Sequence, residues 1–269
     1  MGKLVLYHGA SSVSSAKVRL VLAEKGLAWE SRAIDFQGDE HLSPAYLQIN
    51  PKGQIPTLRL DGQTVTESSV IMELLEDLHP ETRLRPVKPL DRAKMRLWMR
   101  EVDDVLQPAC GVMSFAIAYR HPQLAKTPAD RGAWLARRPS PQKRAMMADL
   151  IENGLAASPV AGALDGMISV FERMDAALAE NQYLAGPAYS LADAAVTPYV
   201  TRFSMLGFAG LFAARFPALT AWHERIKARP SYAEAVTGPI PEKVITLMAK
   251  TGRDQQAEIE ALLSRPKAA

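Results

Sequence analysis

Hydrophobic positions in the first third of the chain switch between the short period of strands and the longer period of a helix. An apolar run over residues 3–8 predicts a first strand, and an apolar stripe predicts a helix over residues 16–25, which Gly26 can end. Residues 29–35 predict a second strand. A strand, helix, strand unit of this length favours a parallel pair with a right-handed crossover.

Two further strand-like runs, residues 55–60 and 63–66, flank the dipeptide Asp61-Gly62, which is typical of a β-hairpin turn. Pro56 stands at the beginning of the first run, where proline is tolerated and where a cis peptide bond would turn the preceding backbone outward. The order of these elements is that of an α/β domain with a small sheet.

A helix over residues 70–75 follows the hairpin and is opened by Glu67 and Ser68. The free N–H groups and the positive dipole end at its start predict a site for a carboxylate. An outward-turned backbone beside such a helix start suits a small peptide ligand.

The pattern changes after residue 80. The stretch 81–89 is rich in proline, lacks periodicity and predicts a linker between an N-terminal domain, residues 1–80, and a C-terminal domain, residues 90–269. Apolar positions in the second domain recur at helical spacing, which predicts an all-α domain.

Three segments of that second domain give sharper predictions. Residues 168–180 are amphipathic, and a capping box from Ser190 to Asp193 opens an apolar helix over residues 194–206. The tail from residue 238 predicts one extra helix that folds back over the domain.

Composition narrows the function classes. The chain has 269 residues, 48% hydrophobic and 23% charged, which suits one or two globular domains with a sizeable core. A net charge of +3 is too small to indicate nucleic acid, and no apolar run approaches the roughly twenty residues that span a bilayer. The start lacks a signal-peptide pattern, so we expect a cytoplasmic location. Cys110 alone excludes an intramolecular disulfide and a cysteine zinc site, and we expect no metal.

The segment 50–71 resembles the glutathione-binding half of a glutathione transferase, whose pattern is N-P-x-G-x-[VI]-P-x-L, then D-G, then E-S-x-x-I. The matched positions are Asn50, Pro51, Gly53, Ile55, Pro56, Leu58, Asp61, Gly62, Glu67, Ser68 and Ile71. The resemblance implies a thioredoxin-like α/β N-terminal domain, an all-α C-terminal domain, glutathione as cosubstrate and a homodimer. The chain has no Cys-x-x-Cys, which argues against a dithiol oxidoreductase.

The hydroxyl groups of the loop 9–15 precede the first predicted helix. A hydroxyl and backbone N–H groups there would favour the ionised form of a bound thiol and lower its pKa. Alignment through Lys17 with theta-like and serine-type bacterial transferases ranks Ser12 first as the donor, then Ser15, then Ser14. The alternative for Ser14 or Ser15 is that it only caps the helix.

Other contacts with glutathione follow from the same resemblance. The segment around His41 is similar to one whose histidine reaches the glycine end of glutathione, although an exposed loop histidine is the alternative. Lys52 and Gln54 lie near the same pocket, and Lys52 is equally consistent with an ordinary surface lysine. Ile55 before Pro56 would bind through its backbone. Glu67 would pair with the α-amino group of the ligand and Ser68 with its α-carboxylate.

The segment 121–158 is basic, contains Arg138-Pro139 and Ser140-Pro141, and is longer than the usual connection in the family. An insertion of this length is functional or mobile, and we expect it either to shape substrate access rather than glutathione binding or to be a surface excursion. Its pattern Pro-x-Pro-x-x-Lys-Arg resembles the glutathione-dependent β-aryl etherases of lignin-degrading bacteria, as do residues 66–71 and 75–81. Those enzymes have Asn where this chain has Ser14.

We therefore expect a glutathione transferase in which the thiolate of glutathione attacks a hydrophobic or aromatic electrophile. Cleavage of a β-aryl ether is its substrate-specific version. Trp98, Phe115 and Tyr119 are candidates to hold the electrophile, although their spacing equally fits packing. The alternatives are a glutathione-dependent dehalogenase or isomerase, and a non-catalytic glutathione-binding module.

Overall fold

The computed structural model describes residues 2–36 and 38–265, in which a small sheet with flanking helices precedes a larger helical domain. The strands are β1 (Leu4–His8), β2 (Glu30–Ala33), β3 (Thr57–Leu60) and β4 (Gln63–Val65). Their order in the sheet is β2-β1-β3-β4. The pair β1–β2 is parallel, as predicted, and β1–β3 and β3–β4 are antiparallel.

The helices of this first domain are α1 (Val13–Glu24), α2 (Pro44–Leu47) and α3 (Ser68–Leu78), with a short 3₁₀ turn at Glu40–Leu42. Apolar side chains of β1, α1 and α3 form its core. Leu6, Val18 and Ile71 are all fully buried there. The fold class inferred from the order of elements is thereby confirmed.

Helix α1 begins at Val13, three residues before the predicted start. The reason is a cap: the Oγ atom of Ser12 accepts a hydrogen bond from the N–H of Ser15 at 3.2 Å. The prediction that Ser14 and Ser15 lie in a loop is therefore wrong, because both occupy the first turn of the helix.

An irregular stretch, residues 79–88, connects α3 to one long helix over residues 89–124. The parts of this long helix are α4 (Pro89–Glu101), a π-helical turn at Val102–Leu106, α5 (Gln107–Ser114), a second π-helical turn at Phe115–Tyr119 and α6 (Arg120–Leu124). Each π turn widens the helix locally and rotates the residues that follow it.

The segment 121–158, which the sequence predicts to be an insertion, is helical. It contains the end of α6, then α7 (Pro128–Ala136), α8 (Pro141–Asn153) and a 3₁₀ turn at Gly154–Ala156. Proline stands in the first turn of both α7 and α8, where it is well tolerated, and the hydroxyls of Thr127 and Ser140 cap the two helices.

The rest of the domain is also helical. Its helices are α9 (Ser158–Glu180), α10 (Leu191–Phe203), α11 (Ala209–Arg215), α12 (Pro217–Lys227), α13 (Pro230–Tyr232), α14 (Glu242–Asp254) and α15 (Gln256–Ser264), with π-helical turns at Ser204–Phe208 and Ala233–Thr237. The amphipathic pattern had predicted only the second half of α9.

The tail folds back over the domain, as predicted, but as two helices rather than one. Gln255, between α14 and α15, donates a hydrogen bond from Nε2 to the carbonyl of Ile117 at 2.9 Å. Arg265 forms an ion pair with Asp165 at 2.8 Å. The tail therefore covers the second π turn of the long helix and the outer side of α9.

No single helix in the described ranges is long and apolar enough to cross a membrane; residues 141–156 and helix Ser158–Glu180 meet that criterion only as a pair, bent by 71°.

The thiol of Cys110 is buried in the core beside Ser114, and burial raises the pKa of Cys110.

The predicted capping box at the start of α10 is part of a buried hydrogen-bond cluster. Oδ1 of Asp193 accepts from the N–H of Leu184 at 3.0 Å and from Nε1 of Trp222 at 2.9 Å. Oδ2 accepts from the N–H and the hydroxyl of Ser190, both at 3.0 Å. Both oxygens of this buried carboxylate are therefore needed, each for two donors.

We expect Asp193→Asn to destabilise the protein strongly, because the amide NH2 would face two donors whichever way it is turned. The predicted loss is about 2–4 kcal/mol in the free energy of unfolding. Ser190→Ala, which removes one hydroxyl, should lose only about 0.5–2 kcal/mol. Urea unfolding of both variants tests this order, and an equal or smaller loss for Asp193→Asn would contradict it.

Candidate functional site

The loop between β1 and α1 is held by two arginines from outside it. Arg19 donates from Nη1 to the carbonyl of Gly9 at 3.0 Å and from Nη2 to that of Ala10 at 3.2 Å. Arg202, on α10, donates to the carbonyl of Ser11. Burial lowers the pKa of Arg19 to about 10, so this guanidinium stays charged at neutral pH. The loop is thus fixed by a side chain of each domain.

His8, at the end of β1, completes this support. Nη1 of Arg19 lies 3.1 Å from Nδ1 of His8, and Nε2 of His8 lies 2.8 Å from Oγ of Ser31. Burial and the charge of Arg19 lower the pKa of His8 to about 4, so the ring is neutral. Because Arg19 can only donate, Nδ1 accepts and Nε2 carries the proton.

The three candidate serines have different surroundings. Ser15 is fully buried, and its Oγ accepts from the N–H of Gly9 at 3.2 Å. Ser14 donates its hydroxyl hydrogen to Oε1 of Gln107 at 2.8 Å. Ser12 is half-buried, and its Oγ accepts from the helix but finds no acceptor for its hydrogen within 2–36 and 38–265. Ser12 alone therefore offers an accessible, uncommitted hydroxyl donor among the three.

The backbone before Pro56 is free for a ligand. The Ile55-Pro56 peptide bond is cis. The carbonyl of Gln54 accepts from the hydroxyl of Tyr46 at 2.6 Å and from Nδ2 of Asn50 at 2.8 Å, which fixes the approach of the chain to Pro56. Within the described part of the chain the main chain of Ile55 has no hydrogen-bond partner. Its peptide groups can therefore pair with another backbone.

The start of α3 places charge beside this backbone. Glu67 has φ 66° and ψ 111°, a backbone conformation with positive φ that residues other than glycine rarely adopt. Its carboxylate is exposed and lies 2.8 Å from Nζ of Lys52. Ser68 is the first residue of the helix and is half-buried. Acidic and helix-terminal groups thus stand together, as the sequence predicted.

The side chain of Lys17 contacts the same helix start from α1. Its Nζ is buried and donates to Oγ of Ser69 and to Oδ1 of Asp103, both at 2.9 Å. Burial lowers the pKa of Lys17, and Asp103 acts against that shift. This ammonium therefore ties α1 and α3 to the long helix of the second domain.

His41 lies in a less open position than the sequence predicted. The residue is 4% exposed, and its ring stacks on Phe36 with 4.0 Å between centroids. Its Nδ1 atom is buried without a hydrogen-bond partner in the described structure, and burial lowers the pKa of His41. Phe36 therefore covers one face of the His41 ring, and Nδ1 is not available to a ligand in this arrangement.

The three residues that the sequence suggested as contacts for the electrophile also have different surroundings. Nε1 of Trp98 donates to the carbonyl of Leu184 at 3.1 Å, which is a packing role. Phe115 is nearly buried and stacks on Trp134 of the insertion, with 6.0 Å between centroids. Tyr119 lies under the guanidinium of Arg202 at 5.8 Å.

Sequence reasoning missed Gln107 and Tyr199. The hydroxyl of Tyr199 donates to Oε1 of Gln107 at 2.5 Å, and the same oxygen accepts from Ser14. These residues are far apart in the chain, and nothing in their spacing marks the contact. The π turn before Gln107, a kind of turn that is frequent at functional sites, is visible only in the structure.

Together these groups form one edge of the sheet domain with a free backbone, a carboxylate, a helix start and an uncommitted hydroxyl. Such an edge can bind a small peptide that carries an amino group, carboxylates and a thiol. No group of three or more His, Cys, Asp or Glu side chains that could hold a metal occurs in the described residues.

Comparison with known proteins agrees with this chemistry. Residues 6–83 match the sequence model of the glutathione S-transferase N-terminal domain, and residues 132–225 match that of the C-terminal domain. Protein LigF of Sphingobium sp. strain SYK-6 is 31% identical over 242 residues, which cover 86% of this chain and 92% of LigF.

Two further matches differ in their extent. The crystal structure of β-etherase LigF from the same strain superposes with a TM-score of 0.78 at 30% identity and covers 88% of this chain and 99% of that one. Maleylacetoacetate isomerase of Pseudomonas aeruginosa is 42% identical over 94 residues, or 34% of this chain and 44% of the isomerase. The domain matches and the similarity along almost the whole of LigF show that this chain belongs to the glutathione S-transferase family, whose members use glutathione as cosubstrate.

Proposed function

We propose that this enzyme cleaves β-aryl ethers by attack of the glutathione thiolate. The observation that carries the proposal is the similarity to the β-etherase along nearly the full length of both chains, including the helical domain expected to bind the electrophile. The match to the isomerase covers less than half of that protein, which favours an etherase over an isomerase.

In this proposal glutathione lies along the edge before Pro56. The main chain of Ile55 pairs with the cysteine of glutathione, Glu67 with its α-amino group, and Ser68 with its α-carboxylate. The free peptide groups of Ile55 and the exposed carboxylate of Glu67 support this placement. Gln54 and His41 would lie toward the glycine end, and Lys52, whose Nζ lies 2.8 Å from the carboxylate of Glu67, toward the γ-glutamyl end.

Ser12 is the best supported donor to the sulfur of glutathione. A hydrogen bond from its free hydroxyl is stronger to the thiolate than to the thiol, so it lowers the thiol pKa. The start of α1 adds the positive end of a helix dipole. Ser15 is buried and the hydrogen of Ser14 is committed to Gln107, which makes both less suitable.

The reaction is a substitution at a carbon next to a ketone. The thiolate forms a carbon–sulfur bond as the carbon–oxygen bond to the aryl group breaks, and the electron pair leaves with the oxygen as an aryloxide. The proton lost by the thiol ends on that aryloxide or in solvent. The protein contributes proximity of the two reactants and a lowered thiol pKa.

We also propose that the enzyme is a homodimer. Val70 on α3 and Leu90 and Leu97 on α4 are large apolar side chains that are more than half exposed. The ion pair between Glu73 and Arg96 connects these two helices at 2.8 Å, and the exposed apolar side chains on both helices support a contact with a second subunit. Because the cosubstrate is a reduced thiol, we infer that the enzyme works in the cytoplasm, where thiols are kept reduced.

We expect Glu67→Gln to weaken glutathione binding about tenfold, since one charge-assisted hydrogen bond to the ligand's ammonium group is lost. Titration calorimetry measures the dissociation constant. Glu81→Gln, which neutralises another exposed carboxylate outside the site, is the matched control and should leave binding unchanged. An unchanged affinity in Glu67→Gln would remove the assignment.

The prediction for Ser12→Ala is a higher apparent pKa of bound glutathione and a rate at neutral pH lower by about ten- to a hundredfold. Ser12→Thr keeps both the hydroxyl and the helix cap and should therefore restore the wild-type pKa. Thiolate absorbance against pH gives the pKa directly. A larger upward shift in Ser14→Ala than in Ser12→Ala would move the role to Ser14.

The substrate class is tested with a β-aryl ether ketone that releases a fluorescent phenol. We expect glutathione-dependent release of the phenol and one glutathionyl ketone per phenol formed. The matched alcohol, in which the ketone is reduced, should be inert because the reacting carbon is no longer activated. Turnover of maleylacetoacetate or of an alkyl halide without any phenol release would favour an isomerase or a dehalogenase instead.

A further inference from the structure

The insertion reaches across to the first domain. Asp39, in the turn before His41, receives hydrogen bonds from two consecutive arginines that follow α7. Arg137 donates to Oδ2 from Nε at 3.0 Å and from Nη2 at 2.6 Å, and Arg138 donates to Oδ1 from Nη2 at 2.7 Å. Burial alone would raise the pKa of Asp39, but the two guanidinium groups hold it below its usual value. We call these three residues the Asp39 clamp.

The insertion side of the clamp is rigidly supported. The guanidinium of Arg138 stacks on the ring of Trp134 at 4.2 Å, and its main-chain carbonyl accepts from Nη1 of Arg144 at 2.9 Å. Trp134 in turn stacks on Phe115 of the long helix. The arginines are therefore anchored to the core of the helical domain.

The other side of the clamp leads to the backbone that we assign to glutathione. The N–H of Leu42 donates to the carbonyl of Asp39 at 2.9 Å, which closes the turn. This turn packs on Gly53, where an added Cβ would lie 3.1 Å from the carbonyl of His41. Gly53 precedes Ile55 by two residues, so the turn 39–42 packs against the segment that leads to the free backbone of Ile55.

The direction in which glutathione runs follows from its proposed placement at Glu67 and Ile55. An extended tripeptide spans about 10 Å. If its γ-glutamyl group lies at Glu67 and its cysteine on Ile55, its glycine extends toward the turn held by Asp39. Two guanidinium groups against one carboxylate leave a surplus positive charge there, and the side chain of Arg137 is 53% exposed.

We propose that the Asp39 clamp positions the turn 39–42 to bind the glycine end of glutathione, so that the insertion determines the preference for glutathione over γ-glutamylcysteine. This inference rests on the proposed placement of glutathione along Ile55. Arg137, Arg138 and Asp39 are positioning residues in it. The insertion, which the sequence led us to connect with substrate access, then also serves the cosubstrate.

The test compares the binding of glutathione and of γ-glutamylcysteine, which lacks the glycine, by calorimetry. In Asp39→Asn we expect the dissociation constant of glutathione to rise about tenfold and that of γ-glutamylcysteine to change less than about twofold. Arg137→Gln, at a half-exposed position, should shift the preference in the same direction. Charge attraction alone predicts the opposite for Asp39→Asn, namely tighter binding of the anionic ligand.

Glu24→Gln is the matched control. Glu24 accepts from Nε and Nη2 of Arg229 at 2.8 and 2.6 Å, so it forms another ion pair between the domains with a similarly buried carboxylate. It should leave the preference between the two ligands unchanged. A shift in this control equal to that in Asp39→Asn would mean that the effect is general loosening and would overturn the proposal.

The remaining outcomes are also decisive. An unchanged preference in Asp39→Asn and Arg137→Gln, or an equal loss for both ligands, overturns the clamp, as does tighter glutathione binding in Asp39→Asn. If Glu67→Gln weakens both ligands equally while Asp39→Asn affects only glutathione, both proposals stand. If Glu67→Gln has no effect while Asp39→Asn changes the preference, the γ-glutamyl placement fails and the clamp stands.

Discussion

The carbonyl groups of residues 9–11 lie between the end of β1 and the start of α1, outside the regular hydrogen bonds of the sheet and the helix, and side chains supply their partners. Arg19 satisfies the first two and Arg202 the third, and both guanidinium groups are nearly buried. A buried carbonyl without a partner is costly, so both arginines stabilise the shape of this loop, one from each domain. The backbone that leads to Ser12 is held by this pair of contacts.

Other side-chain contacts also join the two domains near this loop. Lys17 joins α1 and α3 to Asp103, Ser14 joins α1 to Gln107, and the Asp39 clamp joins the turn 39–42 to the insertion. Each contact connects a group beside the proposed glutathione site to a helix of the second domain. A substitution at one of these residues therefore removes an interaction between the two domains.

The features that the sequence predicted well are local ones. The turn Asp61-Gly62, the proline that precedes β3 and the capping box at Ser190 each depend on residues a few positions apart, and family resemblance added the assignment of the edge to glutathione. The start of α1 was wrong because several serines can cap a helix and sequence alone does not choose among them. The burial of His41 under Phe36, the partners of Gln107 and the reach of the insertion depend on packing between distant segments, which spacing along the chain does not encode.

The burial of Cys110 has a consequence for an enzyme whose cosubstrate is itself a thiol. Exchange of a protein thiol with oxidised glutathione requires an accessible thiolate. The only cysteine of this chain is enclosed beside Ser114 with a raised pKa, and so it meets neither condition. The enzyme can therefore work across wide changes in the ratio of reduced to oxidised glutathione without forming a mixed disulfide with its own cosubstrate.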